Sequence, residues 1–462
     1  MIHGRVAPSA RGRKELDRDW TKGNIASNFL SLSWPMVVGG ALNMLGPTID
    51  MIWVGRLGEA SIAGVGVSGM VVQLVNSMTM GLFTGMRAMI ARFMGAGDSQ
   101  SAVHVARQAL TISIAFSAFM AIIGIFLAEP ILMMLGVAAE VVSEGAAYLR
   151  INFIGMVTMT FRMMTEATMQ ASGDAMRPMR IAILFRVFHV ALAPFLIFGW
   201  WIFPQMGVSG AALTNVFSQA LGAGIGMWFL FAGYTRLQLN MRGFKLDPTA
   251  IWRMVKIGVP ASVTAMERTF GQLIVMTLVV PFGTLAVAAH SVGQRIDQIV
   301  NNPFMAFGQA AGILAGQNLG ANHPQRAVKT GWIAVGLSSV LLLLVSGAIF
   351  LWAEWGARIF TPSTDLISQT SVYMRIQIVG YAGFGFTMIL SQVLNGVGDT
   401  LPVMIFTLLG MWAVQVPTSY FLSRYTSLGV AGVWWGMVAG VLFRSVVYTI
   451  YFRTGRWKAK KV

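Results

Sequence analysis

The chain has 462 residues, 56% hydrophobic and 11% charged, with a mean hydropathy of +0.68; a soluble protein carries about 25% charged residues, so a soluble globular domain is excluded. The net charge of +16 reads as basic loops held against anionic lipid, not as a nucleic-acid surface, because no basic groove is interleaved with aromatic residues. With no cysteine, disulfides and thiol chemistry are excluded as well.

Residues 1–27 form a basic tail (Arg5, Arg11, Arg13, Lys14, Arg18, Lys22) without the apolar core of a cleavable leader. Runs of about 20 apolar residues read as spanning helices. They fall near 28–54, 62–91, 104–128, 146–170, 179–200, 207–233, 251–281, 285–315, 328–352, 371–395, 401–423 and 428–452. The fold class is therefore an all-α polytopic membrane protein with twelve transmembrane helices.

The first run carries one acid, Asp50, and a carboxylate at membrane depth costs roughly 3 kcal/mol on insertion scales. Pro35 and Pro47 lie in the same run. Each lacks a backbone N–H, which frees the carbonyls of Ser31 and Asn43 and predicts a bendable helix beside an ionisable group. Gln73 and Asn76 are polar points in the second run. In the fourth, Glu166 follows Arg162 by four residues, a spacing that sets the two on one helix face as a structural pair. The fifth run holds Arg186 and, three residues on, His189, whose ordinary pKa suits proton handling near neutrality.

The polar stretch 234–250 divides the helices six and six, giving an N-lobe at 28–233 and a C-lobe at 251–452. A shift of 225 residues aligns 35–98 with 260–323 without a gap, with fifteen of 64 positions identical. Pro35 meets Pro260, Gly46 meets Gly271, and Gln73 and Asn76 meet Gln298 and Asn301. Two six-helix halves entering from the same side form a parallel repeat, the plan of transporters that rock two lobes about a central substrate. The intramembrane acids break the repeat: Asp50 corresponds to Val275, Glu267 to Leu42 and Asp297 to Val72. Glu267 is followed by Arg268, and Asp297 comes two residues after Arg295. His290 reads as a packing or polar contact, and most of the 32 methionines as apolar filler.

The tail 453–462 is basic again. With an even helix number, both tails and the linker share one face, expected to be the cytoplasmic face of the cell membrane. No HExxH, P-loop, GxSxG or aspartate-rich cluster is present, so no enzyme and no ATP site is expected.

Several ordered pieces resemble one family. They are P-x14-D-x4-GRLG at Pro35–Gly58, IAGVG at 62–66, RFMGAGD at 92–98 and ASGDAMRP at 171–178 in the first half. LAVAAHSVGQR at 285–295, GILAGQNLGAN at 312–322 and LNGVGDTLP at 394–402 follow in the second. Together they resemble the multidrug and toxic compound extrusion (MATE) family. The resemblance implies a V-shaped pair of lobes and a secondary antiporter exporting small amphipathic compounds, without a cofactor, in exchange for protons or sodium; a monomer is expected. It places Asp50 at the family's first-helix coupling aspartate, Pro35 at the proline of its bend, and Glu267 near a seventh-helix acid. One departure stands out. Where many members carry Asn-x-x-x-Asp-Pro in the fifth helix, this chain has His189, Ala193 and Pro194. The loss of oxygen ligands favours proton coupling through Asp50 and His189, with sodium as the alternative. Arg162 and Arg186 keep open a second reading, a flippase or exporter of a lipid-linked or other anionic precursor.

Overall fold

The computed structural model describes residues 18–358 and 363–460; the first seventeen residues of the basic N-terminal tail, and Lys461 and Val462, lie outside them. Among the described residues all regular structure is helical. The N-lobe is built from α1 (Ile25–Val54), α2 (Glu59–Gly95), α3 (Ser99–Met134), α4 (Ala139–Ile154), α5 (Met156–Ala171), α6 (Met176–Phe198) and α7 (Gly207–Ala232). The C-lobe follows with α8 (Pro248–Val279), α9 (Thr284–Gly320), α10 (Pro324–Arg358), α11 (Thr364–Gly396), α12 (Thr400–Leu408), α13 (Val416–Tyr425) and α14 (Val430–Thr454).

These helices make twelve crossings in two six-crossing bundles. Ten crossings are long and apolar enough to be recognised by length and composition alone. The fourth is divided into α4 and α5 at Gly155, where a Cβ would lie 2.3 Å from Val216 on α7. The eighth, α9, is continuous, and its apolar character is diluted by His290, Arg295, Asp297 and several amides. The eleventh, expected as one run, is α12 and α13 joined by a π-helical turn, Leu409–Gln415, a wider winding that often marks functional positions. The sequence between α7 and α8 is not helical, and Asp247 caps α8 by accepting from the Thr249 and Ala250 amides.

The lobes meet where α2 packs on α8 and α1 on α9. Small residues make this possible. A Cβ on Gly81 would lie 2.2 Å from the Ser262 backbone, and one on Gly85 2.2 Å from the Met254 carbonyl oxygen. The Ser262 hydroxyl donates to the Met78 carbonyl at 2.8 Å. Toward the termini a reciprocal pair closes the seam. A Cβ on Gly95 would lie 1.9 Å from the Gln317 carbonyl oxygen, and one on Gly320 2.0 Å from that of Arg92. The 225-residue shift exchanges these two contacts.

Side chains repeat the pattern. Arg92 donates to the Val397 carbonyl at 3.2 Å and to the Lys460 carbonyl at 2.7 Å; Gln317 donates to the Ala171 carbonyl at 2.8 Å. Each reaches the last carbonyls of a helix in the opposite lobe, groups that have no partner within their own helix. Arg326 adds a bond to the Gly23 carbonyl at 2.8 Å. At the opposite end of the molecule, the turns after α1, α3, α6, α8 and α13 make no inter-lobe hydrogen bond among the described residues. Among the described residues the inter-lobe hydrogen bonds therefore run from the middle of the bundle to the side of the termini.

Candidate functional site

Asp50 and His189 come from helices that pack along their length, α1 and α6. Their facing residues form rungs one turn apart. Val54 faces the buried cluster that also holds Val65, Tyr148, Ala193 and Ile197. One turn further in, Asp50 (4% exposed) meets His189 (1% exposed), with Asp50 Oδ1 2.8 Å from His189 Nε2. One more turn in, a Cβ on Gly46 would lie 2.1 Å from Arg186 Nη1, so the guanidinium occupies the space the glycine leaves. No lysine or arginine lies within ion-pair distance of Asp50 among the described residues; its partner is an imidazole that charges only when protonated. A carboxylate and an imidazole at this distance, both buried, can share one hydrogen bond, with the ring nitrogen donating to the carboxylate oxygen.

The other N-lobe polar residues form a separate network. Arg162 pairs with Glu166 at 2.7 Å, and its Nε donates to Gln219 Oε1. Gln170 donates to the other Glu166 oxygen at 3.1 Å. Gln219 donates to Asn215 at 3.3 Å, and Asn215 to Asn152 at 3.4 Å. The guanidinium carbons of Arg162 and Arg186 stand 5.0 and 5.2 Å from the Phe185 ring. Gln73 is exposed on α2, and Asn76 has a buried side-chain oxygen without a hydrogen-bond partner. The same holds for Asn301, its counterpart in the repeat. Asn43 enters through its main-chain carbonyl, which accepts from Arg186 Nη2 at 3.4 Å. Pro35 is buried, and α1 runs as one helix through Pro35 and Pro47.

The C-lobe acids stand apart from Asp50. The Tyr373 and Tyr381 hydroxyls, both on α11, donate to the two Asp297 oxygens. His290 lies buried edge-on to Tyr373, ring centroids 5.6 Å apart. Arg295 is exposed and does not join them. Glu267 is buried, with Arg444 and Arg268 the cations that face it; Arg444 also donates to Gln415 of the π turn at 3.3 Å. Sequence reasoning did not single out Gln219, Asn215, Asn152, Tyr373, Tyr381 or Arg444. The one available signal was Asn215 and Gln219, four residues apart in a glycine-rich apolar helix. No group of three acids or histidines with the placement of a metal site occurs among the described residues.

The comparisons with known proteins agree with this architecture. The MatE family profile matches twice, over residues 35–195 and 260–421, the second copy beginning 225 residues after the first. The chain is 27% identical over 449 residues to the probable multidrug resistance protein YpnP of Bacillus subtilis, covering 96% of this chain and 98% of that one. It is 26% identical over 447 residues to the probable multidrug resistance protein NorM of Thermotoga maritima, covering 95% and 94%. Among solved structures, a MATE protein in its bent conformation superposes with a TM-score of 0.89 at 24% identity, covering 97% of this chain and 98% of that one. The chain thus belongs to the MatE family and is a multi-pass membrane transporter rather than an enzyme.

Proposed function

We propose that this transporter exports small amphipathic compounds in exchange for protons, that Asp50 and His189 carry the coupling proton, and that the two lobes alternate in closing the two ends of the central path. The observation that carries the reading is the buried 2.8 Å contact between Asp50 and His189. Sodium prefers several hard oxygen ligands at close range, and here a nitrogen stands where an oxygen ligand would serve; the proton is the cation this pair suits. The multidrug-resistance relatives support the substrate class. The inter-lobe bonds, which run from mid-bundle to the side of the termini, support a form closed on that side. With both termini cytoplasmic in the cell membrane, as the distribution of basic residues favours, this form is open outward. The 234–250 linker and the 28–233 and 251–452 lobes then serve as hinge and moving bodies of a monomer.

The test is pH-gradient-driven exchange in vesicles with Asp50→Asn. The expected result is loss of proton-driven exchange with passive binding retained; unaltered exchange refutes the assignment. A second reading, export of an anionic precursor, is favoured by the two guanidinium groups flanking Phe185. The two readings differ in sign. A cationic substrate competes with a proton at Asp50, whereas an anion beside Arg186 is bound more tightly when the proton is present. Substrate affinity measured against pH separates them.

A further inference from the structure

The α1–α6 seam holds a cation that carries no proton in the exchange proposed above. Arg186 is 8% exposed, and among the described residues no carboxylate lies within ion-pair distance of it. Its Nε has no hydrogen-bond partner, while its Nη2 donates to the Asn43 carbonyl at 3.4 Å. That acceptor has a particular history. In an α-helix the carbonyl of residue 43 takes the N–H of residue 47, and residue 47 is proline. Inside a bilayer no water replaces the lost donor. The guanidinium reaches the orphaned oxygen over Gly46, where a Cβ would lie 2.1 Å from Nη1.

The repeat supplies the control. The C-lobe counterpart of Gly46 is Gly271, where a Cβ would lie 2.9 Å from Met411 Cε. Met411 is the counterpart of Arg186 under the same 225-residue shift. The counterpart of Pro47 is Gln272, which keeps its N–H. Where the backbone supplies its own donor, the facing helix presents a thioether; where proline removes the donor, it presents a guanidinium.

We infer that Arg186 is a positioning residue that stands in for the backbone donor missing at Pro47 and so holds the 43–50 turn of α1 with Asp50 facing His189. Its consequence for transport rests on the coupling role proposed for Asp50; the capping itself does not.

The experiment is a double-mutant cycle on the full chain in lipid nanodiscs, read by hydrogen–deuterium exchange of residues 43–54. Arg186→Met is expected to speed exchange there by about tenfold, the signature of easier local opening. In a Pro47→Ala background, where the N–H is restored, adding Arg186→Met is expected to change exchange by less than about twofold. Pro47→Gln, the residue of the C-lobe repeat, serves if Pro47→Ala does not fold. Equal acceleration by Arg186→Met in both backgrounds, or none in either, overturns the inference. A parallel vesicle assay is expected to show proton-driven exchange lowered by Arg186→Met and partly recovered in the double variant. If the nanodisc cycle behaves as expected while Asp50→Asn transports normally, the capping assignment is supported and the coupling reading of Asp50 falls.

Discussion

Arg92 offers the most direct handle on how the two lobes are held together. Arg92→Ala removes two bonds that cross between them, to the Val397 carbonyl at 3.2 Å and the Lys460 carbonyl at 2.7 Å. The first is half-buried at a helix C-terminus, where a cation also meets the negative end of the helix dipole; a charged donor there contributes about 1.5 kcal/mol. The second is exposed and contributes about 0.5 kcal/mol. Their sum, about 2 kcal/mol, shifts the equilibrium between the closed and parted arrangements by roughly thirtyfold toward parting. The chain has no native cysteine, so spin labels can be placed without background. Ser99→Cys and Gln325→Cys are exposed and lie just beyond the ends of α2 and α9. Electron–electron resonance should show a longer distance gaining population in Arg92→Ala. A distance distribution identical to that of the unsubstituted chain would refute the claim that these bonds hold the lobes together.

Other outcomes follow from the same contacts. Gly95→Ala forces a Cβ to within 1.9 Å of the Gln317 carbonyl oxygen, a backbone atom that cannot swing aside; the seam should open at a cost of about 1–3 kcal/mol, seen as a lowered melting temperature in detergent. Arg162→Met leaves Glu166, whose side chain is 26% exposed, without its ion-pair partner; about 2 kcal/mol of stability should be lost, and Arg162→Met with Glu166→Gln should recover part of it. Tyr381→Phe withdraws one of the two hydroxyls donating to Asp297 and should cost about 1.5 kcal/mol, measured by the same melting assay. The backbone amide of Ala250, followed by the His104 side chain, holds the Asp247 carboxyl below its usual pKa. Its contribution to capping α8 is therefore complete above the ordinary value of 3.8 and is lost as pH falls through the lower folded value. Amide exchange at 249–251 should stay slow at pH 5 and rise only in stronger acid; a rise already at pH 5 would contradict this.

The repeat was legible in the sequence because close helix contact tolerates few residue types. Gly46 and Gly271, or Gly95 and Gly320, sit where a Cβ would strike the neighbouring helix, and the same demand in both lobes leaves the same letter 225 positions apart. Asp50 stood out in the sequence for a simpler reason, the cost of a lone carboxylate in lipid. That His189 touches it was not visible in periodicity; it came through the family resemblance, since nothing local to either segment says which helices adjoin. The contact of Asp297 with Tyr373 and Tyr381 was hidden in the same way, as the partners lie on α9 and α11. The break at Gly155 and the π turn at Leu409–Gln415 left no mark, because apolar runs look alike whether wound in 3.6 residues per turn or slightly more.

Duplication gives this molecule its own reference sample. The helix pair that seats Met411 against Gly271 shows the same close approach with a thioether in place of the guanidinium. The pair carrying Asp50, His189 and Arg186 is the same chassis with different charged groups set into it. A response to acid that appears in one pair and not in the other then narrows to the positions where the two copies differ, Asp50, His189, Arg186 and Pro47 in one and Glu267, Arg268 and the π turn in the other.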